Sequence, residues 1–143
     1  MKAEELRIGN YVQSNSKFFK GDTLRITELK DDHDEKKIQA WCIAPGNRAY
    51  GSSNEHLEPI PLTEEWLIKF GFEKSKDDPC PYDDGEFTLK SKRFTVFKKH
   101  PITHNSVHGW FINNQNFSEI NLKYVHQLQN LYFALTGTEL TII

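Results

Sequence analysis

The chain has 143 residues, of which 37 % are hydrophobic, 27 % charged and 13 % aromatic, with a formal net charge of −2. That length suits one domain-sized unit with a sizeable core, and the aromatic content excludes a disordered chain, whose few apolar groups could not offset the entropy of folding. No apolar run approaches the roughly 20 residues of a membrane helix, and Met1-Lys2-Ala3-Glu4-Glu5 has no signal-peptide character, so a cytoplasmic location with Cys42 and Cys80 as free thiols is expected.

In chain order, Leu6 to Val12 is a short alternation interrupted by Gly9-Asn10. Leu24 to Leu29 alternates cleanly and predicts a half-buried strand. The charged run from Lys30 to Lys37 then reads as a hairpin connection, and Lys37 to Ile43 as the returning strand, stopped by Pro45-Gly46-Asn47. His56 to Pro61 is extended, because Pro59 and Pro61 exclude both a helix interior and a central strand. Several short strands joined by small turns in residues 1–62 predict a small SH3-like β-barrel.

Thr63 is a suitable N-cap for a short linking helix, with Glu64 and Glu65 in its first turn, Trp66, Leu67 and Phe70 on its apolar face and Gly71 as its stop. Lys74 to Gly85 contains two prolines and four aspartates and reads as a surface loop. Glu86 to Leu89, Arg93 to Phe97 and Trp110 to Ile112 have strand composition and predict a small antiparallel sheet. Tyr124, Leu128, Leu131 and Leu135 recur at helical spacing, Gly137 stops that helix, and Leu140 to Ile143 is a candidate final strand. The fold class is α+β, with residues 63–143 forming a second module in which the C-terminal helix packs on the second sheet and shares a core with the first module.

Charge is distributed unevenly. Through Glu86 there are 18 acidic and 12 basic residues, whereas from Phe87 onward there are two acidic and six basic ones. Residues 87–118 contain no Asp or Glu, yet hold Lys90, Lys92, Arg93, Lys98 and Lys99, with His100, His104 and His108 adding titratable charge. These cations interleave with Phe87, Phe94, Phe97, Trp110 and Phe111. Lysines that neutralise phosphates beside aromatics that stack on bases are the groups that single-stranded RNA binding requires. The bland reading of the same pattern is a strand pair with an aromatic inner face and a solvated outer one.

Patterns for catalysis or metal binding are weaker. The three histidines would need a helix to converge, and Pro101 and Gly109 argue for turns instead. The acidic run Asp31 to Glu35 lacks the glycine and distant bidentate Glu of a calcium loop. Cys42 lies in an apolar strand, Cys80 among aspartates, and neither setting favours a thiolate. No nucleophile elbow, phosphate loop or dinucleotide fingerprint is present, so no catalytic residue, metal or cofactor is expected. The terminal helix has more apolar circumference than one buried face needs, which suits a sandwiched helix or a partner surface.

Three stretches also carry a resemblance: Leu6-Arg7-Ile8-Gly9-Asn10-Tyr11-Val12, Pro59-Ile60-Pro61-Leu62-Thr63-Glu64-Glu65-Trp66-Leu67 with Phe70-Gly71-Phe72, and Tyr124 to Gly137. Together they resemble a family of small proteins encoded by phages and prophages of the Bacteroides and Flavobacterium lineage. The resemblance leaves out residues 74–116. It implies a role in host takeover, counter-defence or replication, and by analogy an anti-CRISPR-type inhibitor of an RNA-guided nuclease. The leading expectation is therefore a non-enzymatic inhibitor that engages a host nuclease or its guide RNA through Lys90, Lys92, Arg93, Phe94, Phe97, Lys98, Lys99, His100 and Trp110. The alternatives are a nucleic-acid-binding accessory of phage replication or packaging, and a hydrolase or nuclease with an unrecognised site.

Overall fold

The alternation from Leu24 to Leu29 lies inside a longer strand, and the strands around it form one sheet. The computed structural model describes residues 1–17, 19–32, 37–44, 46, 48–75, 83–89, 94–99, 109–113 and 119–143. It divides into two units, Met1–Pro61 with Tyr124–Glu139, and Leu62–Lys123 with Leu140–Ile143. No described helix is long and apolar enough to cross a membrane.

The first unit holds β1 (Tyr11–Ser14), β2 (Thr23–Asp32), β3 (Lys37–Ala44), β4 (Arg48–Ser53) and β5 (Leu57–Glu58). They form an antiparallel sheet in the order β4-β3-β2-β1-β5, so the last strand returns to pair with the first. Period-two alternation turns Val12, Leu24, Ile26, Ala40, Cys42 and Leu57 inward, and these make the core of the unit. The register slips by one residue between Ile26 and Glu28, which leaves Thr27 as the bulged residue. Its hydroxyl donates to the Trp41 carbonyl at 3.0 Å, giving that carbonyl a partner where the ladder is broken. A single-turn 3-10 helix, Asn54–His56, precedes β5. Its Asn54 accepts from the Ile38 amide and donates to the Met1 carbonyl.

Helix α2 (Val125–Thr136) belongs to this first unit. Polar anchors that the hydrophobic pattern does not mark hold it to this unit. The carbonyl of the fully buried Gln129 side chain accepts the Tyr11 amide at 2.8 Å, and its amide donates to the Gly9 carbonyl at 3.0 Å. Asn130 bonds the Asn10 side chain and the Glu5 carbonyl beside it. The inward face is Val125, Leu128, Gln129 and Tyr132, about one residue around the helix from the leucine stripe, so Leu135 stands 63 % exposed. Gly137 ends the helix as expected, at φ +67°, with its amide donating to the Phe133 carbonyl at 2.8 Å.

The second unit holds α1 (Glu64–Lys69), β6 (Glu73–Lys74), β7 (Asp83–Leu89), β8 (Phe94–Lys99), β9 (Gly109–Asn113) and β10 (Glu119–Leu122). Thr63 occupies the N-cap of α1, but its carbonyl rather than its hydroxyl makes the bonds, accepting the Trp66 and Leu67 amides. The sheet runs β10-β9-β8-β7-β6 and is antiparallel throughout, with an edge strand added on either side of the expected three. Its inner side carries Phe87, Phe94, Val96, Trp110 and Leu122. Phe87 meets Trp110 edge-on with ring centroids 5.5 Å apart, and Phe72 meets Phe94 edge-on at 6.2 Å. Leu140–Ile143 forms no strand; the Ile143 amide donates to the Lys69 carbonyl at 3.1 Å.

Candidate functional site

The register of the second sheet decides which members of the basic segment face where. Phe94, Val96 and Lys98 share one face of β8 because side chains alternate. The first two are buried, and Lys98 reaches past the end of that row toward α1. Its ammonium donates to the Glu64 carboxylate at 3.1 Å and stands 5.7 Å from the centre of the Trp110 ring. Lys74 approaches the other oxygen of Glu64 at 3.6 Å. The Lys98 hydrogen bond, with Lys74 close by, holds the Glu64 carboxyl below the usual carboxylate range.

Trp110 donates its indole N–H to the Leu62 carbonyl at 2.8 Å, satisfying a buried donor and fixing the ring. The resulting cleft, about 460 Å³, is lined by Leu62, Thr63, Glu64, Glu65, Lys98 and Trp110. It has two carboxylates and one ammonium over an apolar floor, so its charge is mixed rather than basic.

Of the expected site residues, Phe94 and Trp110 are 8 % and 6 % exposed, and both rings serve the core of the second unit. Neither offers an open face to a base. Lys98 is present at the surface but ion-paired. Phe97 and Lys99 lie on β8, their backbones paired with Phe111 and Gly109. Lys90, Lys92, Arg93 and His100 fall outside the described residues, as do His104, His108, Cys80 and the acidic residues 34 and 35. Among the described residues there is no cluster of metal-ligating side chains. Cys42 is buried among apolar neighbours, which pushes its thiol up to about 11 and leaves it unreactive at neutral pH.

Three features were missed in the sequence. The sequence presents Glu64 as a helix-terminus charge, whereas in the fold it partners Lys98 and Lys74. His126 is 1 % exposed, and neither ring nitrogen has a hydrogen-bond partner among the described residues. Its ring stacks on Tyr124 at 5.7 Å, and the Glu5 carboxylate lies 3.9 Å from Nε2. Burial lowers the pKa of His126, outweighing the pull of Glu5. Trp41 was read as part of an apolar strand and is 43 % exposed. Its signal was available: in Ala40-Trp41-Cys42-Ile43-Ala44 the small residues alternate with the large ones, and it is the small ones that face inward. No protein-family model, curated protein or solved structure matches the chain.

Proposed function

We propose that the chain is a non-enzymatic binding protein that takes hold of nucleic acid, or of a protein carrying it, through the basic connection between β7 and β8. The observation that carries this reading is the pairing of Leu89 with Phe94. The four residues joining that pair are Lys90, Ser91, Lys92 and Arg93, three of them basic. Lys99 adds a further cation on the same strand pair, while Lys98 is committed to Glu64. Cations gathered within a few residues bind phosphates by releasing condensed counterions.

In the setting that the sequence resemblance supplies, such a protein is a phage-encoded inhibitor acting in the host cytoplasm. It disables a defence complex in the manner of an anti-CRISPR protein, by engaging guide RNA or the RNA-guided nuclease that holds it. The first unit is read as SH3-like, supported by a meander whose fifth strand returns to the first and by the bulge in β2.

The test is fluorescence polarisation of labelled single-stranded RNA, duplex RNA and duplex DNA with the purified chain and with a variant carrying Lys90→Gln, Lys92→Gln, Arg93→Gln and Lys99→Gln. Binding that the variant loses while keeping the wild-type melting temperature supports the reading. Binding to duplex DNA as tight as to RNA moves the assignment to a replication or packaging accessory. Absence of binding to all three overturns the nucleic-acid reading.

A further inference from the structure

Phe94 and Trp110, expected to stack on bases, are buried in the second unit, but the first unit presents an aromatic group that is open. Trp66 and Trp110 are buried, whereas Trp41 on β3 is 43 % exposed, with Ile43 beside it on the same outward face. Opposite Trp41 on β4 stands Gly51, and opposite Ile43 stands Ala49. A Cβ placed on Gly51 would lie 3.3 Å from the indole, so the ring rests directly on a strand that has no side chain beneath it. One ring face is thereby seated on the sheet and the other is turned outward.

The flanking charges favour an anionic ligand. Arg25 pairs with Ile43 across β2 and β3 and makes no ion pair among the described residues. The Lys30 ammonium lies 6.0 Å from the Trp41 ring centre and is paired to Glu28 at 3.1 Å. Arg25 is therefore the cation beside this aromatic face that has no ion pair among the described residues.

We propose that the outward face of β2, β3 and β4 is a stacking platform for an unpaired base of a single-stranded nucleic acid. Trp41 receives the base, and Arg25 meets a flanking phosphate. A flat π-face beside cations accepts any base, so the platform favours unpaired strands over duplexes without choosing a sequence. The inference rests on the nucleic-acid reading above and adds a second contact to it, in the other unit.

An oligouridylate RNA of about 12 nucleotides, within the length that such sheets cover, is titrated into the full chain while polarisation and intrinsic tryptophan emission are both followed. The other two tryptophans are buried, so a change in emission reports on Trp41. Wild type should bind with quenching. Trp41→Leu should lose the quenching and bind about 5- to 150-fold more weakly, the range for one stacked base. Trp41→Phe, which keeps an aromatic face, should recover most of that loss. An unchanged melting temperature shows that these outward substitutions leave the fold intact. RNA binding in which Trp41→Leu equals wild type, or in which emission does not change, overturns the platform and leaves the basic connection standing. No RNA binding by wild type overturns both.

Discussion

The placement of α2 rests on Gln129, and replacing that residue by leucine tests it directly. The side chain is fully buried and bonds both the Tyr11 amide and the Gly9 carbonyl. Leucine has nearly the same volume, so little cavity is created, but it removes the partner of one backbone donor and one backbone acceptor. Each buried group left unsatisfied costs about 1–3 kcal/mol, and the added apolar burial returns roughly 1–2 kcal/mol. At the middle of those ranges the net loss is about 2.5 kcal/mol, a large fraction of the roughly 5–15 kcal/mol that stabilises a typical domain. With a urea dependence of about 2 kcal/mol per molar, the unfolding midpoint should fall by about 1 M. Urea titration followed by circular dichroism measures it, with Leu135→Ala on the exposed side of α2 as the comparison; that change should stay within about 0.5 kcal/mol. A Gln129→Leu midpoint equal to wild type would refute the claim that these two bonds fasten the helix.

Other outcomes follow from the same physics. His126 is buried in its neutral form with its pKa below the ordinary 6.5, so the unfolded chain takes up a proton that the folded chain refuses. Its contribution is intact above about 6.5 and is lost as the pH falls below it; His126→Phe should therefore lose less stability than wild type between pH 7.5 and 5.0 in urea titrations, and equal losses would contradict this. In a Cys80→Ser background, Cys42, whose thiol is pushed up to about 11, should react with a disulfide reagent only after denaturant is added. Glu64→Gln removes the partner of a half-exposed Lys98, so stability should change by less than about 1 kcal/mol. Removing that carboxylate should instead steepen the salt dependence of RNA binding, by at most about 0.7 in log–log slope, which polarisation across a salt series measures.

How much of this was legible in the sequence depended on whether a residue's role was written in local pattern. Leu24 to Ile26 alternates because one side of β2 faces a core, the bulge at Thr27 breaks the alternation before Leu29, and Pro59 and Pro61 limit β5 to two residues. Gly137 marks the end of α2 because the left-handed turn there suits a residue without a Cβ. The edge strands left little trace: β6 is two residues of Glu and Lys, and the outward side of β4 is Ala49, Gly51 and Ser53, too small to read as strand-forming. The inward face of α2 was misjudged because Gln129, a polar residue, is more deeply buried than Leu131 or Leu135. The candidate site suffered from the same blindness to partners. Interleaved lysines and aromatics were visible, but not that Trp110 bonds Leu62, that Lys98 bonds Glu64, or that Trp41 lies over a glycine.

The most direct test of the account is the salt dependence of single-stranded RNA binding for wild type, for Lys98→Gln and for the four-site variant at Lys90, Lys92, Arg93 and Lys99. With Lys98 held by Glu64, the account assigns the phosphate contacts of this segment to Lys90, Lys92, Arg93 and Lys99. At about 0.7 per contact these four contribute roughly 2.8 to the log–log slope, besides any share from Arg25. The account predicts that Lys98→Gln leaves the wild-type slope unchanged and that the four-site variant loses most of it. An equal slope in wild type and the four-site variant would contradict the assignment of phosphate contacts to that connection.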